Sequence, residues 1–477
     1  MTSDDENKLL ETLYDRLFDA LTYAPDGQAS AWNRNTTFLQ FAKNLVIDPR
    51  DFEGMMNPGN PKGDLTKAEL FSAFVDAQPS LSPLWADSGF KLSDTYSSIV
   101  NNANTDSQVL ESQKDLYNKA NDYLFETVTT QGFDSEYTTV TPTNVSAAYD
   151  EAQKQYTLAV VAFRNGYNKH DLTTSEGQLA WNADAPALQL AVDQAWNNWI
   201  RSYKAPVEQA QNALVSSVND AISSVIAESQ KLVTGLYLLP SNSPGGRSWL
   251  PSYALPTEWY GSDIEGSQFS LSSSFLNEKS SSSATKYSAE ASGSRGFFHA
   301  SGGVSGDREE QTASLQANSF ELEAELITVT IKRPWLNPLL FTMNDWWVGS
   351  TNAGGISNAN INDIQGKMPL LPTGFVLARN VKIKANFTSE DKKFISDSIS
   401  TKASGGWGPF SFSGSYSKSS TKESFEATFE DGVLKLPGLQ VIAWVNSVIP
   451  YSPPQNPKGI SAVEVSSNTP NDPSRNN

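Results

Sequence analysis

The chain has 477 residues and a formal net charge of −18, and 38% of its residues are hydrophobic while 18% are charged. This length exceeds that of one ordinary domain, so we expect two or three domains with sizeable cores. The absence of cysteine excludes disulfides, thiolate metal sites and thiol catalysis. A surface this acidic repels nucleic acid and anionic lipid headgroups, so neither is expected to be a partner.

The first residues of the sequence indicate how the protein is made. Residues 1–8 carry three acidic side chains and lack the basic start and apolar run of a signal peptide. No stretch approaches the roughly 18 apolar residues of a membrane-spanning helix. We therefore expect synthesis as a soluble cytoplasmic protein without a signal peptide. If the protein leaves the cell and associates with a membrane, lysis or a dedicated machine has to release it.

The first half of the chain, residues 1–235, is predicted to be an acidic helical bundle. Apolar side chains recur at helical spacing over residues 4–21, and longer periodic runs cover about 96–124, 145–167 and 185–234. Runs of this length bury their apolar stripes best against one another, which favours an elongated antiparallel bundle. The first 235 residues hold 31 acidic and 16 basic side chains, against 22 and 19 in the remainder, so the acidity belongs to this half.

After a turn-rich linker, the periodicity of the sequence changes from helical to alternating. Apolar and polar side chains alternate over residues 269–275, 320–326, 381–387 and 425–429. This period of two is typical of half-buried β-strands.

An internal repeat organises the β half. Residues 292–306 match residues 404–418 without gaps at an offset of 112, with seven identities in fifteen positions. The same offset superposes Leu271 on Ile383, where the composition is ordinary. Each copy is predicted to contain a strand, a short Ser-rich helix, a Gly-rich hairpin and a strand, so we expect an approximate internal twofold axis.

Together these patterns predict an α+β multidomain protein, in which an elongated N-terminal helical bundle precedes a pseudo-twofold, mainly antiparallel β domain with two Ser-rich helices (about 276–291 and 388–403). The predicted segments are an acidic helical bundle (1–235), a linker leading into the β domain (236–265), β repeat 1 (266–331), a Trp/Pro-rich insert (332–380), β repeat 2 (381–452) and a disordered tail (453–477).

The sequence lacks the common motifs for catalysis and cofactor binding. The sequence contains no P-loop, no dinucleotide-binding glycine motif after a strand, no zinc-protease motif, no nucleophile elbow and no EF-hand loop. The two histidines, His170 and His299, are too few and too far apart to suggest a metal site or a catalytic triad. We therefore expect neither enzymatic activity nor a cofactor nor a bound metal.

The Gly-rich hairpins carry the main functional signal. Ser, Thr or Gly alternates there with aromatic or Val side chains, a pattern typical of strands that line a membrane barrel. The glycines predict a tight turn with the aromatics near an exposed tip. The candidate membrane or interface residues are Phe297, Phe298, Trp407, Phe410 and Phe412 in the hairpins, and Trp335, Trp346 and Trp347 in the insert.

Each of these features has a second interpretation. The hairpins also fit a Ser-rich antiparallel sheet with one wet face, or aromatic tips that only dip into the membrane interface. The insert tryptophans fit either a protein core or an exposed aromatic patch for lipid, sugar or a partner subunit.

The leading hypothesis is a pore-forming or membrane-associating, toxin-like protein that oligomerises, and the resemblance is to that architectural plan alone. Its partners would be a lipid membrane and further copies of the chain. The alternative is a self-assembling structural or scaffold protein without enzymatic activity, in which the repeat faces and the Trp insert form subunit contacts. A third option is a sugar-binding module that uses exposed Trp side chains on a glycan.

Overall fold

The structure of the chain is a computed structural model. It describes residues 3–22, 36–42, 45–60, 62–106, 111–131, 136–170, 175–218, 222–236, 239, 241, 248–272, 281–293, 298–301, 320–401, 404–415, 424–436 and 438–457.

The helices in these ranges are α1 (Ser3–Thr22), α2 (Leu65–Val75), α3 (Leu92–Asn101), α4 (Glu111–Leu124), α5 (Asn144–Lys169), α6 (Ser175–Arg201), α7 (Lys204–Val218), α8 (Ile222–Lys231), α9 (Ser282–Gly293) and α10 (Ser389–Thr401). The strands are β1 (Thr37–Phe41), β2 (Val46–Ile47), β3 (Ala77–Pro79), β4 (Asp87–Lys91), β5 (Ala103–Asn104), β6 (Phe125–Gln131), β7 (Glu136–Pro142), β8 (Tyr253–Leu255), β9 (Ser267–Ser272), β10 (Phe298–Ser301), β11 (Glu321–Lys332), β12 (Trp347–Val348), β13 (Leu370–Lys384), β14 (Ser404–Trp407), β15 (Phe410–Ser415), β16 (Ser424–Glu426), β17 (Thr428–Glu430), β18 (Val433–Leu436) and β19 (Leu439–Val448).

A nine-stranded antiparallel sheet forms the centre of the β half. Among the described strands its order is β1-β19-β13-β11-β8. In addition, β2 pairs with β19, β9 with β11, β18 with β13 and β17 with β18. Alternation in the sequence explains the strands, because Leu322 and Ala324 of β11 are buried while Glu321 and Glu323 are exposed. Mixed helices and antiparallel sheets are therefore present as predicted.

Both faces of this sheet are covered. Successive residues of β13 belong to different cores: Val376 and Ala378 pack with α1 and α9, whereas Phe375 and Leu377 pack with α2 and Trp259. A second, four-stranded sheet of order β10-β14-β15-β16 contributes to the core on the α1 face. The β half thus consists of stacked layers around the long strands.

The structure corrects the expected division of the chain at residue 235. Helix α1 packs in the core of the β half, and Thr37 to Phe41 of β1 pair with β19 at residues 443–447. Strand β1 is buried on both faces, so its sequence has no polar and apolar alternation to reveal it. The expectation of a helical first half also missed the hairpin β6–β7, whose Thr-rich strands have high β propensity.

Helices α3 to α8 form the helical core together with the Trp/Pro-rich insert. Trp199 is 1% exposed, and its ring lies 5.7 Å from Tyr149 and 5.3 Å from Tyr156. Tyr96 of α3 accepts a hydrogen bond from the backbone nitrogen of Asn337 in the insert, at 2.9 Å. The insert is therefore packed against the helices.

The beginning of the expected disordered tail is ordered. The carbonyl of Pro453 accepts a hydrogen bond from Gly354 at 2.9 Å, and the backbone nitrogen of Gln455 donates to Trp346 at 3.3 Å. Residues 458–477 of that predicted tail lie outside the described residues.

Candidate functional site

The strand pairs of the β half follow the offset of the internal repeat. In the first copy, β9 pairs with β11 so that Ser272 opposes Glu321. In the second copy, β13 pairs with β18 so that Lys384 opposes Val433. Both partners of the second pair lie 112 positions after those of the first, so the offset found in the sequence also gives the register. Phe275, which the repeat superposes on Phe387, lies outside the described residues.

The two copies are not related by the expected twofold axis. Their strands share one sheet in the order β9-β11-β13-β18, so β9 corresponds to β13 and β11 to β18. A twofold axis normal to the sheet or parallel to its strands would exchange β9 with β18 and β11 with β13. A twofold axis in the plane of the sheet and perpendicular to the strands would map each strand onto itself. The copies are instead related by a shift of two strands across the sheet.

A single row of residues crosses this four-stranded block. Ser272 opposes Glu321, Glu321 opposes Lys384, and Lys384 opposes Val433. We call these four residues the exit row, because the chain leaves the sheet there in both copies. Segment A (residues 273–320) joins β9 to β11, segment B (385–432) joins β13 to β18, and each is 48 residues long.

Segment A is held by the N-terminal helix. Asp15 of α1 accepts hydrogen bonds from the backbone nitrogen and the hydroxyl of Ser281, at 2.8 and 2.6 Å. One turn earlier, Glu11 accepts from the hydroxyl of Ser288 at 2.9 Å. Tyr287 is fully buried, with its ring 5.5 Å from that of Tyr14. Polar and apolar contacts together therefore fix α9 against α1.

Segment B folds into α10 and strands β14 to β17. Trp407 opposes Phe410 across the turn Gly408–Pro409, and Gly408 has the positive φ of 55° that this two-residue turn needs. The turn itself is buried. A Cβ placed on Gly408 would lie 3.6 Å from the Leu13 side chain of α1. The N-terminal helix thus covers segment B as well as segment A.

The expectation that the hairpin aromatics are exposed is wrong. Trp407 is 1% exposed, and Phe410 and Phe412 are fully buried. The Trp407 ring lies 5.0 Å from Phe320, and the Phe412 ring lies 6.2 Å from Phe394. The sequence revealed an apolar face on the hairpin but not the surfaces that cover it.

In the first copy, Phe298 is the described one of the two candidate residues. Phe298 lies in β10, where it is the backbone partner of Trp407, so a strand from each copy meets in one sheet. Phe297 lies outside the described residues.

A buried glutamine fastens segment B to the main sheet. The side-chain amide of Gln440 in β19 accepts from the Ser411 nitrogen and donates to the Ser411 oxygen, both at 2.8 Å. Both residues are at most 1% exposed. Sequence reasoning missed this contact, although a glutamine inside an otherwise apolar strand is a signal for a buried polar anchor.

The insert tryptophans are mostly core, as one of the two interpretations held. Trp335 is fully buried with its ring 5.8 Å from Tyr96. Trp346 is fully buried and donates its indole N–H to the Met343 carbonyl at 3.1 Å. Trp347 is half-buried in β12. An exposed patch that contains Trp335 and Trp346 is therefore wrong.

Both segments bury polar atoms without a partner. Among the described residues, no hydrogen-bond partner exists for the Tyr287 hydroxyl in segment A or for one carboxylate oxygen of Asp391 in segment B. Burial raises the pKa of Tyr287. An unsatisfied buried polar group costs about 1–3 kcal/mol, so the packed form of both segments is less stable than its apolar contacts suggest.

In the described part of the chain, no helix is long and apolar enough to cross a membrane. The same residues contain no cluster of three or more potential metal ligands. His170 follows the last residue of α5, and its Nε2 lies 3.0 Å from a carboxylate oxygen of Asp184 in α6. His299 lies in β10, more than 100 residues later in the chain. Comparison with known proteins found no matching family model, curated protein or solved structure.

Proposed function

We propose that this chain is an oligomerising, toxin-like pore-forming protein in which segments A and B leave the core and form two β-hairpins that enter a membrane. The observation that carries the proposal is the exit row. Two segments of equal length leave one end of one sheet, from strand pairs with the same register.

The existing strand pairs give the hairpins a template. Strands β9 and β11 are already paired antiparallel at the exit row, and so are β13 and β18. Continuing each ladder into its segment would give arms of roughly 20 residues, whereas a strand crosses a bilayer with about 9–11 residues. Backbone groups in lipid must all be paired, so such hairpins have to close into a barrel of several copies.

In this proposal the N-terminal helix controls when the two segments are released. Helix α1 covers Ser281 and Tyr287 of segment A and Gly408 of segment B, so it holds both segments in their packed form. Separation of α1 would expose both segments together. The unpaired polar atoms of Tyr287 and Asp391 lower the free-energy cost of releasing the two segments, because water or a new strand partner can form hydrogen bonds with them.

The net charge of the chain determines which lipid vesicles are suitable for a test. A chain with a net charge of −18 is repelled by anionic headgroups, so neutral phosphatidylcholine vesicles are the appropriate target.

The test is a reversible lock between α1 and segment A. The Asp15→Cys, Ser281→Cys variant replaces two side chains whose carboxylate and hydroxyl oxygens lie 2.6 Å apart. The chain contains no other cysteine. We expect the oxidised variant to release no dye from phosphatidylcholine vesicles, and a reductant to restore release to at least the wild-type level.

A matched control joins strands that stay paired in the proposal. The Glu321→Cys, Lys384→Cys variant links two directly opposed residues of β11 and β13. It should release dye whether oxidised or reduced. Full release by the oxidised Asp15→Cys, Ser281→Cys variant, or no release by the wild type, would contradict the proposal.

A scaffold without membrane activity is the second candidate. It is favoured by the repeat itself, since a block of shifted strand pairs can extend edge to edge without lipid. Negative-stain images distinguish the two, because a scaffold forms ordered arrays without vesicles. The sugar-binding option loses its main residues, as Trp335 and Trp346 are buried.

A further inference from the structure

The four-stranded block β9-β11-β13-β18 has two outer strands, β9 and β18. We infer that β18 of one copy pairs antiparallel with β9 of the next copy, with Val433 opposite Ser272. This inference rests on the proposed oligomerising function and adds the surface through which the copies meet.

The chain already contains one example of this contact. Strands β11 and β13 join the first repeat to the second, with Glu321 opposite Lys384. In the repeat, β11 corresponds to β18 and β13 corresponds to β9, since their paired positions differ by 112. Applying the same shift once more places β9 of a second copy beside β18, and the exit row then runs from one copy into the next.

The side chains of the two strands fit this arrangement. On the buried face, the internal contact places Leu322 opposite Ile383, and the contact between copies places Leu434 opposite Leu271. All four side chains are at most 1% exposed, so the apolar layer would continue across the junction.

On the exposed face, the internal pair is Glu323 and Lys382, which form an ion pair at 3.5 Å. The corresponding pair between copies is Lys435 and Ser270. No like charges would oppose each other there, so this face does not disfavour the contact.

Both outer strands are covered in the single chain. Strand β17 pairs with β18, with Phe429 opposite Leu434, and its Phe429 ring packs 5.2 Å from Phe387. Among the described strands only β11 pairs with β9, and helix α5 lies beside β9. Covered edges prevent premature pairing between copies.

The cover on β18 links assembly to segment release. Strand β17 lies within segment B, so withdrawal of segment B from the core would also remove β17 and open the edge of β18. Copies could therefore join only after segment B has moved.

The test is a disulfide that forms only between copies. In one chain, the Ser272→Cys, Val433→Cys thiols lie three strand spacings apart, about 14 Å. A disulfide requires Cα atoms within about 7 Å, so an internal bond is excluded. After incubation with phosphatidylcholine vesicles and mild oxidation, we expect a ladder of covalent multimers that a reductant abolishes.

Three controls define the register. Either single cysteine variant should give no ladder beyond a dimer. The in-register pair Ser270→Cys, Lys435→Cys should also give a ladder, whereas Ser270→Cys, Val433→Cys should give at least tenfold less. An equal ladder from that mismatched pair would overturn the register.

Dye release measured in the same samples separates this inference from the proposed function. A ladder without release would support the contact and contradict the pore. Absence of a ladder from the Ser272→Cys, Val433→Cys variant would overturn the contact, whether or not the vesicles leak.

A second variant tests the cover. Thr428→Cys, Lys435→Cys joins two opposed residues of β17 and β18. The oxidised form should stay monomeric with vesicles by cross-linking and sedimentation, and reduction should restore assembly. Full assembly by the oxidised form would show that β17 does not cover the joining edge.

Discussion

Phe412 lies between Phe394 and Gly405 with no exposed surface. A Cβ on Gly405 would lie 2.7 Å from the Phe412 ring, so the glycine makes room for the aromatic side chain. The glycine and aromatic pattern of the hairpin therefore has a packing function in the folded chain, whatever it does in a membrane.

Replacing this side chain tests its role in the core. Phe412→Ala should lower the free energy of unfolding by about 3–5 kcal/mol, since it removes a large buried side chain. Phe90→Ala is the control, because Phe90 is 68% exposed and its loss should change stability by less than about 0.5 kcal/mol. Urea unfolding of both variants measures this, and equal midpoints would show that Phe412 is not core.

Glu325 makes stability depend on pH. Arg379 donates to its two carboxylate oxygens at 2.9 and 2.6 Å, and this interaction holds the pKa of Glu325 below its usual value of 4.5. A lowered pKa means that the stabilisation is complete above the usual pKa and is lost as the pH falls through the lowered one.

We therefore expect Glu325→Gln to cost about 1–3 kcal/mol at pH 7, and the difference from the wild type to shrink near pH 3. The control is Glu323→Gln, whose exposed ion pair with Lys382 contributes little. A difference for Glu325→Gln that stays constant between pH 7 and pH 3 in urea unfolding would contradict this explanation.

Among the elements, helix α1 makes contacts with the β half that the sequence did not predict. Its amphipathic pattern was clear, but the pattern gives only the apolar stripe and not the partner. The carboxylate of Asp15 meets Ser281, which lies 266 positions later in the chain.

Hydrogen exchange tests whether α1 holds α9. Asp15→Ala removes two hydrogen bonds to Ser281, so the amides of α9 (282–293) should exchange at least several-fold faster. Lys8→Ala, on the exposed side of α1, should leave these rates unchanged. Unaltered exchange in the Asp15 variant would mean that α9 is held by other contacts.

The predicted and observed elements agree best where one face is polar. The Ser-rich helices were expected at about 276–291 and 388–403 and occur at Ser282–Gly293 and Ser389–Thr401. The register of the repeat also followed from the sequence, because a strand that slips by one residue exchanges its buried and exposed faces. Strand β1 was not predictable in this way, since both of its faces are buried.

At the scale of the whole molecule, the chain closes on itself. Strand β1 pairs with β19, so that Thr37 opposes Ser447. The β half consequently contains residues from both ends of the described chain, and a boundary near 235 does not separate two independent units.

This closure predicts the behaviour of fragments. Residues 236–477 alone lack α1 and β1, and therefore expose the apolar surface that these elements cover. We expect this fragment to lose cooperative thermal unfolding, measured by near-ultraviolet circular dichroism. A cooperative transition close to that of the full chain would contradict this.

The pairing of β1 with β19 also sets the timing of folding during translation. About 400 residues separate Phe38 from Asn446, its partner in the sheet. At roughly 5–20 residues per second, β1 waits on the order of 20–80 s on the ribosome before its partner strand is made. Gln440 emerges in the same interval, so the anchor on segment B and the closing strand arrive together. A nascent chain thus spends most of its synthesis with the apolar strand β1 unpaired.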